Sequence, residues 1–363
     1  MFKFNISDIY FDRMINPMLA GIYLLINICL AQNAVIAQES KVEDPAIPMV
    51  TSHEHFTFAI VPQFTSADNF VAGLARVKTS PGSRVGYINH QGKFVIQPQF
   101  DLADNFQDRL AAVKIKERWG YIQPDGKLVI SPQFDRAQGF SESYAAVEID
   151  NKWGFIDRSG KLVISPQFKA AEAFNEGLAA IQIEDKWGFI DRQGKIIIPP
   201  QFSEVGRFSN GLAKVVSTTG LIGFINQRGE DRITAQFSEA RDFSEGLAMV
   251  KLDGKYGFIN TQGKITISPK FDNAWSFENG TASVKVGRKY GSIDRHGNWI
   301  VPPRWDWADR CQANVMVVKI GKKYGYTNCL GKFIITARFD YAEPVVDGLA
   351  LVKQAGKLGY IKF

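Results

Sequence analysis

Residues 186–198 read Lys186-Trp187-Gly188-Phe189-Ile190-Asp191-Arg192-Gln193-Gly194-Lys195-Ile196-Ile197-Ile198, and the rest of the chain is organised around copies of this string. Its two apolar runs are rich in aromatic and β-branched residues, the side chains that fit a pleated surface. Between them stands Asp-x-x-Gly. An Asp or Asn at the first position of such a turn accepts from its own backbone, and the Gly takes the left-handed conformation that closes a short hairpin. The spacing recurs at Asp157 to Gly160, Asn260 to Gly263 and Asp294 to Gly297. The Gly of the first run recurs as Gly86, Gly120, Gly154, Gly188, Gly223, Gly257, Gly291, Gly325 and Gly359, at intervals of 34 residues seven times and 35 once. A fixed period of this size marks a repeat architecture. Carried back to Pro62-Gln63-Phe64, the phase gives nine units over residues 62–363.

The copy at 166–198 predicts three strands. In the first, Ala179, Ile181 and Ile183 are expected to face inward, with Ala180 and Gln182 outward. Ala248, Val250 and Leu252 set against Met249 and Lys251 repeat the pattern. The hairpin supplies the other two strands, the last of them ending at a proline such as Pro98, Pro132 or Pro166. From Pro-Gln-Phe to the next Phe the segment reads as a packed connection, pinned by Phe64 with Phe70, Phe100 with Phe106 and Phe134 with Phe140. The extra residue of the fifth unit, around Thr219, is expected in an exposed loop. The expected fold is therefore all-β: a tandem array of three-stranded hairpin or meander units without helix. Nine units exceed the roughly four to eight blades usual in propellers, and 34 residues are few for a four-stranded blade. An open or gently superhelical stack is thus favoured, with a closed propeller-like ring as the alternative.

The recurring Lys-Trp-Gly-Phe-Ile-Asp-x-x-Gly-Lys string resembles the WG repeat family, also called KWG repeats. The resemblance covers 302 residues, 62–363. Departures are Val85, Ile222 and Leu358 at the Trp position, Ser292 after the Gly, and an irregular eighth unit containing Cys311 and Thr327. The resemblance implies a bacterial protein built from β-hairpin repeats with a binding role, and it transfers no catalytic residue.

The N-terminus has another character. Lys3 and Arg13 precede an apolar stretch from Met18 to Ala31, and Val35-Ile36-Ala37 offers small residues for cleavage. This is a signal-peptide layout, with the mature chain expected to begin near Gln38. The apolar stretch is shorter than the ~20 residues that span a bilayer, so membrane contact is expected to be peripheral at most. The expected organisation is a signal peptide at 1–37, a linker at 38–61 and the repeats at 62–363, in an exported protein of the periplasm or cell surface. Cys311 and Cys329 fall in one unit. They either bridge in an oxidising compartment or stay apart, the first in the core and the second in a turn.

A catalytic site needs unlike groups converging at one place, whereas the polar residues that recur here recur for turn chemistry. Asp157, Asp191 and Asp294 alternate with Asn89, Asn226, Asn260 and Asn328. An amide replaces a carboxylate in a turn but not as an acid or base. His53-Glu54-His55 lacks a third ligand nearby. No cofactor, metal or catalytic residue is therefore expected.

In a repeat protein the varying positions, above all those that carry aromatics where others are polar, are the candidates for function. One position holds Leu102, Arg136, Ala170, Glu204, Glu239 and Asn273, then Trp307 and Tyr341; Trp275 occupies another that elsewhere holds Gln138, Glu172 or Arg241. Trp305 and Trp299 take the usual Phe and Leu places and are expected in the core. Formal charge is +6 overall, and residues 238–363 hold 19 Lys and Arg against 12 Asp and Glu. Lys251, Lys285, Lys319 and Lys353 would form one ladder, and Lys255, Lys289, Lys323 and Lys357 another. The candidate face comprises Trp307, Tyr341 and Trp275 with Arg304, Arg310, Lys285, Lys319 and Lys353. The expected partner is a protein, or alternatively a carbohydrate or anionic envelope polymer. Export disfavours nucleic acid, and a hydrolase is the remote alternative.

Overall fold

The structure, a computed structural model, describes residues 56–363; the expected signal peptide and most of the expected linker lie outside the described residues. No helix occurs among the described residues. The strands form nine antiparallel sheets, eight of four strands and one of three. The fourth blade shows the plan: Ala170–Ala171, Ala179–Ile183, Lys186–Ile190 and Ile196–Phe202, in that order across the sheet. The unit thus has four strands, not three. The short strand lies in the segment expected to be a connection, where two residues suffice to pair with the next strand (Ala170 with Gln182, Ala171 with Ile181). The last strand does not stop at its proline but runs through it to the Phe.

The array closes, which overturns the open stack. Phe58–Phe64 lies antiparallel to Lys357–Lys362, Ile60 opposite Tyr360 and Phe64 opposite Leu358, and supplies the fourth strand of the ninth blade. Phe58 to Val61, assigned to the linker by the sequence reading, belong to this strand. Across the seam the ninth blade meets the first, Ser66 to Phe100, as other neighbours meet. Tyr360 donates to the carbonyl of Asp68 at 2.5 Å, and the Phe70 and Tyr360 rings are 4.9 Å apart. Closure leaves no blade with an unpaired face and gives the third strand of the ninth blade its partner.

Within each blade the recurring Gly is a requirement of space. Gly154 lies opposite the stretch where the last strand bulges: Trp153 pairs with Phe168 and Phe155 with Ile164, so the last strand spends two extra residues. A Cβ on Gly154 would stand 2.5 Å from the carbonyl oxygen of Ile164 and 2.7 Å from the nitrogen of Pro166. Proline suits the bulge because its nitrogen has no proton to place in the ladder. The hairpin turns behave as expected: Asp157 Oδ1 accepts from the amides of Ser159 and Lys161, and Asn89 Oδ1 from those of Gln91 and Lys93. Thr219 is exposed in the loop between its strands.

Blades pack face to face, so both sides of the second strand are buried. Ala179, Ala180 and Ile181 are all inside, whereas Ile183, expected inward, is 38% exposed at the strand end. Met249 is likewise buried rather than outward. At seven of the nine interfaces the aromatic after the Gly meets the recurring Phe of the next blade, as Tyr121 with Phe140 and Phe155 with Phe174 at 4.9 Å, Phe189 with Phe208 at 4.8 Å, Phe258 with Phe277 at 4.7 Å; between the eighth and ninth blades Val345 takes the Phe place and Tyr326 packs on Phe363 instead, at 4.8 Å. Such ring pairs are each worth roughly 0.5–1.5 kcal/mol beyond the area they bury. Where the aromatic is Tyr, its hydroxyl adds a bond across the interface, as from Tyr121 to the carbonyl of Gln138 at 2.7 Å. The seventh and eighth blades lack the pair, having Ser292 and Cys311 in its two places. There Cys311 is bonded to Cys329, with Cα atoms 5.5 Å apart, and the disulfide ties the buried segment to the hairpin turn of its own blade. Replacing Gly154 by Ala is expected to cost roughly 1–3 kcal/mol, as overpacking does, and Tyr121→Phe about 1 kcal/mol for the stranded carbonyl. Denaturant unfolding of the purified variants measures both.

Candidate ligand-binding face

Three aromatic rings converge on the eighth and ninth blades. Trp307 opens the short strand Trp307–Ala308; opposite it on the second strand is Lys319, and opposite Lys319 on the third is Tyr324. Residues directly opposite in a sheet share a face, which sets these side chains in one row. The Trp307 and Tyr324 ring centroids are 6.1 Å apart, and Tyr341, from the short strand of the ninth blade, stands 5.8 Å from Tyr324. Lys319 Nζ lies 5.1 Å from the centre of the Tyr324 ring. Tyr341 is 41% exposed and pairs with Lys353 in the same register. Together they line a shallow cleft of about 570 Å³ at the seam, with Glu343 and Leu358. Glu343 accepts from the Tyr341 hydroxyl at 2.9 Å and from Asn69 of the first blade at 2.6 Å. Burial first, and then this carboxylate, push the Tyr341 hydroxyl up to about 12, so it remains a neutral donor at any physiological pH.

Tyr324 was not a candidate from sequence because it occupies the recurring Trp position, which reads as scaffold. The signal was the coincidence of three aromatics at positions that touch between neighbouring units, which becomes visible only once the cross-strand register is known. Trp307 is half-buried and packs on the cores at both of its blade's interfaces. It is therefore part scaffold and part surface.

The remaining candidates are placed elsewhere. Lys285 sits in the equivalent place one blade earlier, opposite Asn273 and Tyr290, its ammonium 5.6 Å from the Tyr290 ring. Trp275 belongs to a separate contact, with the Arg241 guanidinium 4.5 Å over its ring. Arg304 is internal: it stacks on Trp305 at 4.4 Å and donates to the carbonyl of Gly331 at 2.5 Å, and burial lowers its pKa. Arg310 bridges the seventh and eighth blades through Glu278 at 2.5 Å. Trp305 is fully buried as expected, but Trp299 is 41% exposed, against the edge of Phe271. Of the two lysine ladders, the second is largely neutralised: Lys255, Lys289 and Lys323 pair with Asp272, Asp306 and Asp340 at 2.5, 2.9 and 2.6 Å. These lysines hold the three carboxyls below their usual range. In the first ladder Lys251 pairs with Glu239. Lys285, Lys319 and Lys353 enter no ion pair among the described residues.

Nine radially packed antiparallel blades closed by a strand from the other end of the chain define a β-propeller. Its repeats match the model described as WG containing repeat in eight consecutive segments, 86–119, 119–153, 153–187, 187–217, 222–256, 256–290, 290–324 and 324–357, and the chain belongs to that family. A comparison with curated proteins finds no match. Among solved structures the chain is similar to a eukaryotic initiation factor, with a TM-score of 0.53 at 13% identity, covering 74% of this chain and 86% of that one. It is also similar to BamB from Moraxella catarrhalis, with a TM-score of 0.38 at 12% identity over 62% and 77% of the two chains. At such identities the likeness is one of fold, and the comparison of fold rests on the first.

Trp307→Ser is expected to cost roughly 2 kcal/mol, since it removes a half-buried aromatic from two cores, and Tyr341→Ser less than ~1 kcal/mol as a surface change. Equilibrium unfolding of the two variants separates anchoring from exposed ring.

Proposed function

We propose that this protein is an exported, non-catalytic binding scaffold whose contact face for a protein partner is the row Trp307, Tyr324 and Tyr341 with Lys319 and Lys353. The observation that carries the reading is Tyr324 in contact with both Trp307 and Tyr341 across two blades, next to Lys319 and Lys353, which enter no ion pair among the described residues. Half-exposed aromatics are what the centre of a protein interface uses, with charged groups at its rim. The propeller supports the reading by presenting the row on a rigid frame. The non-catalytic part is supported by the fate of the recurring carboxylates, which accept turn amides or lysines. Export is supported by the signal-like N-terminus and by the Cys311–Cys329 disulfide, a bond that persists in oxidising compartments. The lysines favour an acidic partner surface.

A second reading, a carbohydrate polymer on the same rings, is separated by one experiment. The purified protein and a Tyr341→Ser, Lys353→Ser variant are offered the envelope proteins and, separately, the envelope polysaccharides of the source cells. Protein capture by the wild type, lost in a variant whose melting temperature is within about 2 °C, is the expected result. Retention of polysaccharide alone favours the second reading, and equal capture by both proteins overturns the face.

A further inference from the structure

One blade interface is opened by a cleft, that between the fourth and fifth blades. The fifth sheet is the one with three strands; its short strand is reduced to a single bridge between Val205 and Val215. The cause is in the residues that face each other there. At three other interfaces the second strand or the residue after the short strand sends a donor across to a carbonyl of the next blade. Arg76 reaches the carbonyl of Ala103, Gln138 that of Ala171 at 3.0 Å, and Ser283 that of Ala308 at 2.8 Å. Here the corresponding positions of the fourth blade are Ala180, which has nothing to send, and Glu172, whose carboxylate cannot donate to a carbonyl. The result is a cleft of about 440 Å³, walled by Trp187 and lined by Glu172, Asn175, Glu204, Arg207 and Asp242.

Asp242 comes from the sixth blade. Its carboxylate enters the space that a side chain on Gly206 would fill, since a Cβ there would collide with Oδ1. That oxygen is buried and has no hydrogen-bond partner among the described residues. Buried acceptors are ordinarily satisfied, and one that is not calls for a donor from elsewhere. Arg207 stands 3.9 Å from the other oxygen with 69% of its side chain exposed, a loose pair that leaves the guanidinium available. Burial raises the pKa of both Glu172 and Asp242.

We propose that this cleft binds a neutral, polyhydroxylated ligand, a pyranose unit of a glycan, with the sugar's apolar face on Trp187 and its hydroxyls donating to Asp242 and Glu172 while accepting from Arg207. The lining selects this chemistry by its mixture. The carboxylates of Glu172, Glu204 and Asp242 are opposed by Arg207 and by Lys214 nearby, so no large net charge is offered to an anion or a cation. Acceptors, a donor fork and one flat ring are instead held together, and vicinal hydroxyls both donate and accept. The site is separate from the Trp307 row and does not depend on its role.

Ligand-observed saturation-transfer NMR with the methyl glycosides of glucose, galactose and mannose and with di-N-acetylchitobiose tests the proposal on the full chain. At least one of these is expected to bind at millimolar concentration. Asp242→Asn and Glu172→Gln, which keep shape, are each expected to weaken it about tenfold, the loss of one charge-assisted bond. Trp187→Leu is expected to abolish transfer to the ring protons. Melting curves confirm that each variant is folded, and the two amide variants suffice if Trp187→Leu is not. Absence of binding by every glycoside overturns the proposal. Binding unchanged in the amide variants overturns it equally, and so does binding of 1,4-diaminobutane in preference to the sugars.

Discussion

Seven of the nine blade interfaces rest on one contact, that between the aromatic following the glycine of one blade and the Phe of the next. A four-stranded sheet of two-, five- and seven-residue strands buries too little on its own to be stable. Packed between two neighbours it buries both faces, and the second strand accordingly holds Ala179, Ala180 and Ile181 all inside. The ring pairs set the spacing of that packing and the tyrosine hydroxyls fix its register. The glycine is part of the same device: without a Cβ the last strand can bulge against the third, and the adjacent aromatic is aimed outward at the next blade. Stability of this kind is a sum of units and interfaces. Each interface must be made, and the two at the ends can be made only with each other.

Much of this was legible in the residues. Repeat, turn chemistry and the absence of helix followed from Asp-x-x-Gly and from the glycine spacing. Closure was legible too, although from the residues it stood only as the alternative to an open stack. Phe58-Ala59-Ile60-Val61-Pro62-Gln63-Phe64 has the pattern of Phe94-Val95-Ile96-Gln97-Pro98-Gln99-Phe100, so a last strand stands ahead of the first full unit. Such an offset by one strand is what a ring needs to close. The count of nine and the short unit argued the other way because the two-residue strand carries no periodicity by which to be seen. Ile183 was misplaced for a related reason: period two describes a sheet with one buried face, and these have two.

The exceptions to the repeat are where the proposed sites lie. Where the ring pair fails, at Ser292 and Cys311, a disulfide and the stack of Arg304 on Trp305 replace it. Two residues that looked like surface candidates are thereby seen to be structural. Arg304 fills that interface, and Arg310 is engaged with Glu278 across it. The neighbouring row of Trp307, Tyr324 and Tyr341 keeps its exposure because its rings extend beyond the blade core. Between the fourth and fifth blades the ring pair is present, but Ala180 and Glu172 send no donor across and a cleft opens. One family of positions thus yields a repaired interface, an aromatic face and a cavity, according to what each copy places there.

The claim on which the rest stands is that Phe58–Phe64 closes the ring on Lys357–Lys362. Amide hydrogen exchange of the full chain, read by mass spectrometry over peptides covering 58–64, tests it directly. In the closed ring those amides share the fate of the last strands of interior blades, such as Leu162–Phe168, and exchange with comparable slowness because they open only when a blade interface opens. Exchange over 58–64 at the rate of an unpaired segment, beside slow exchange over 162–168, would contradict closure and return the array to an open stack.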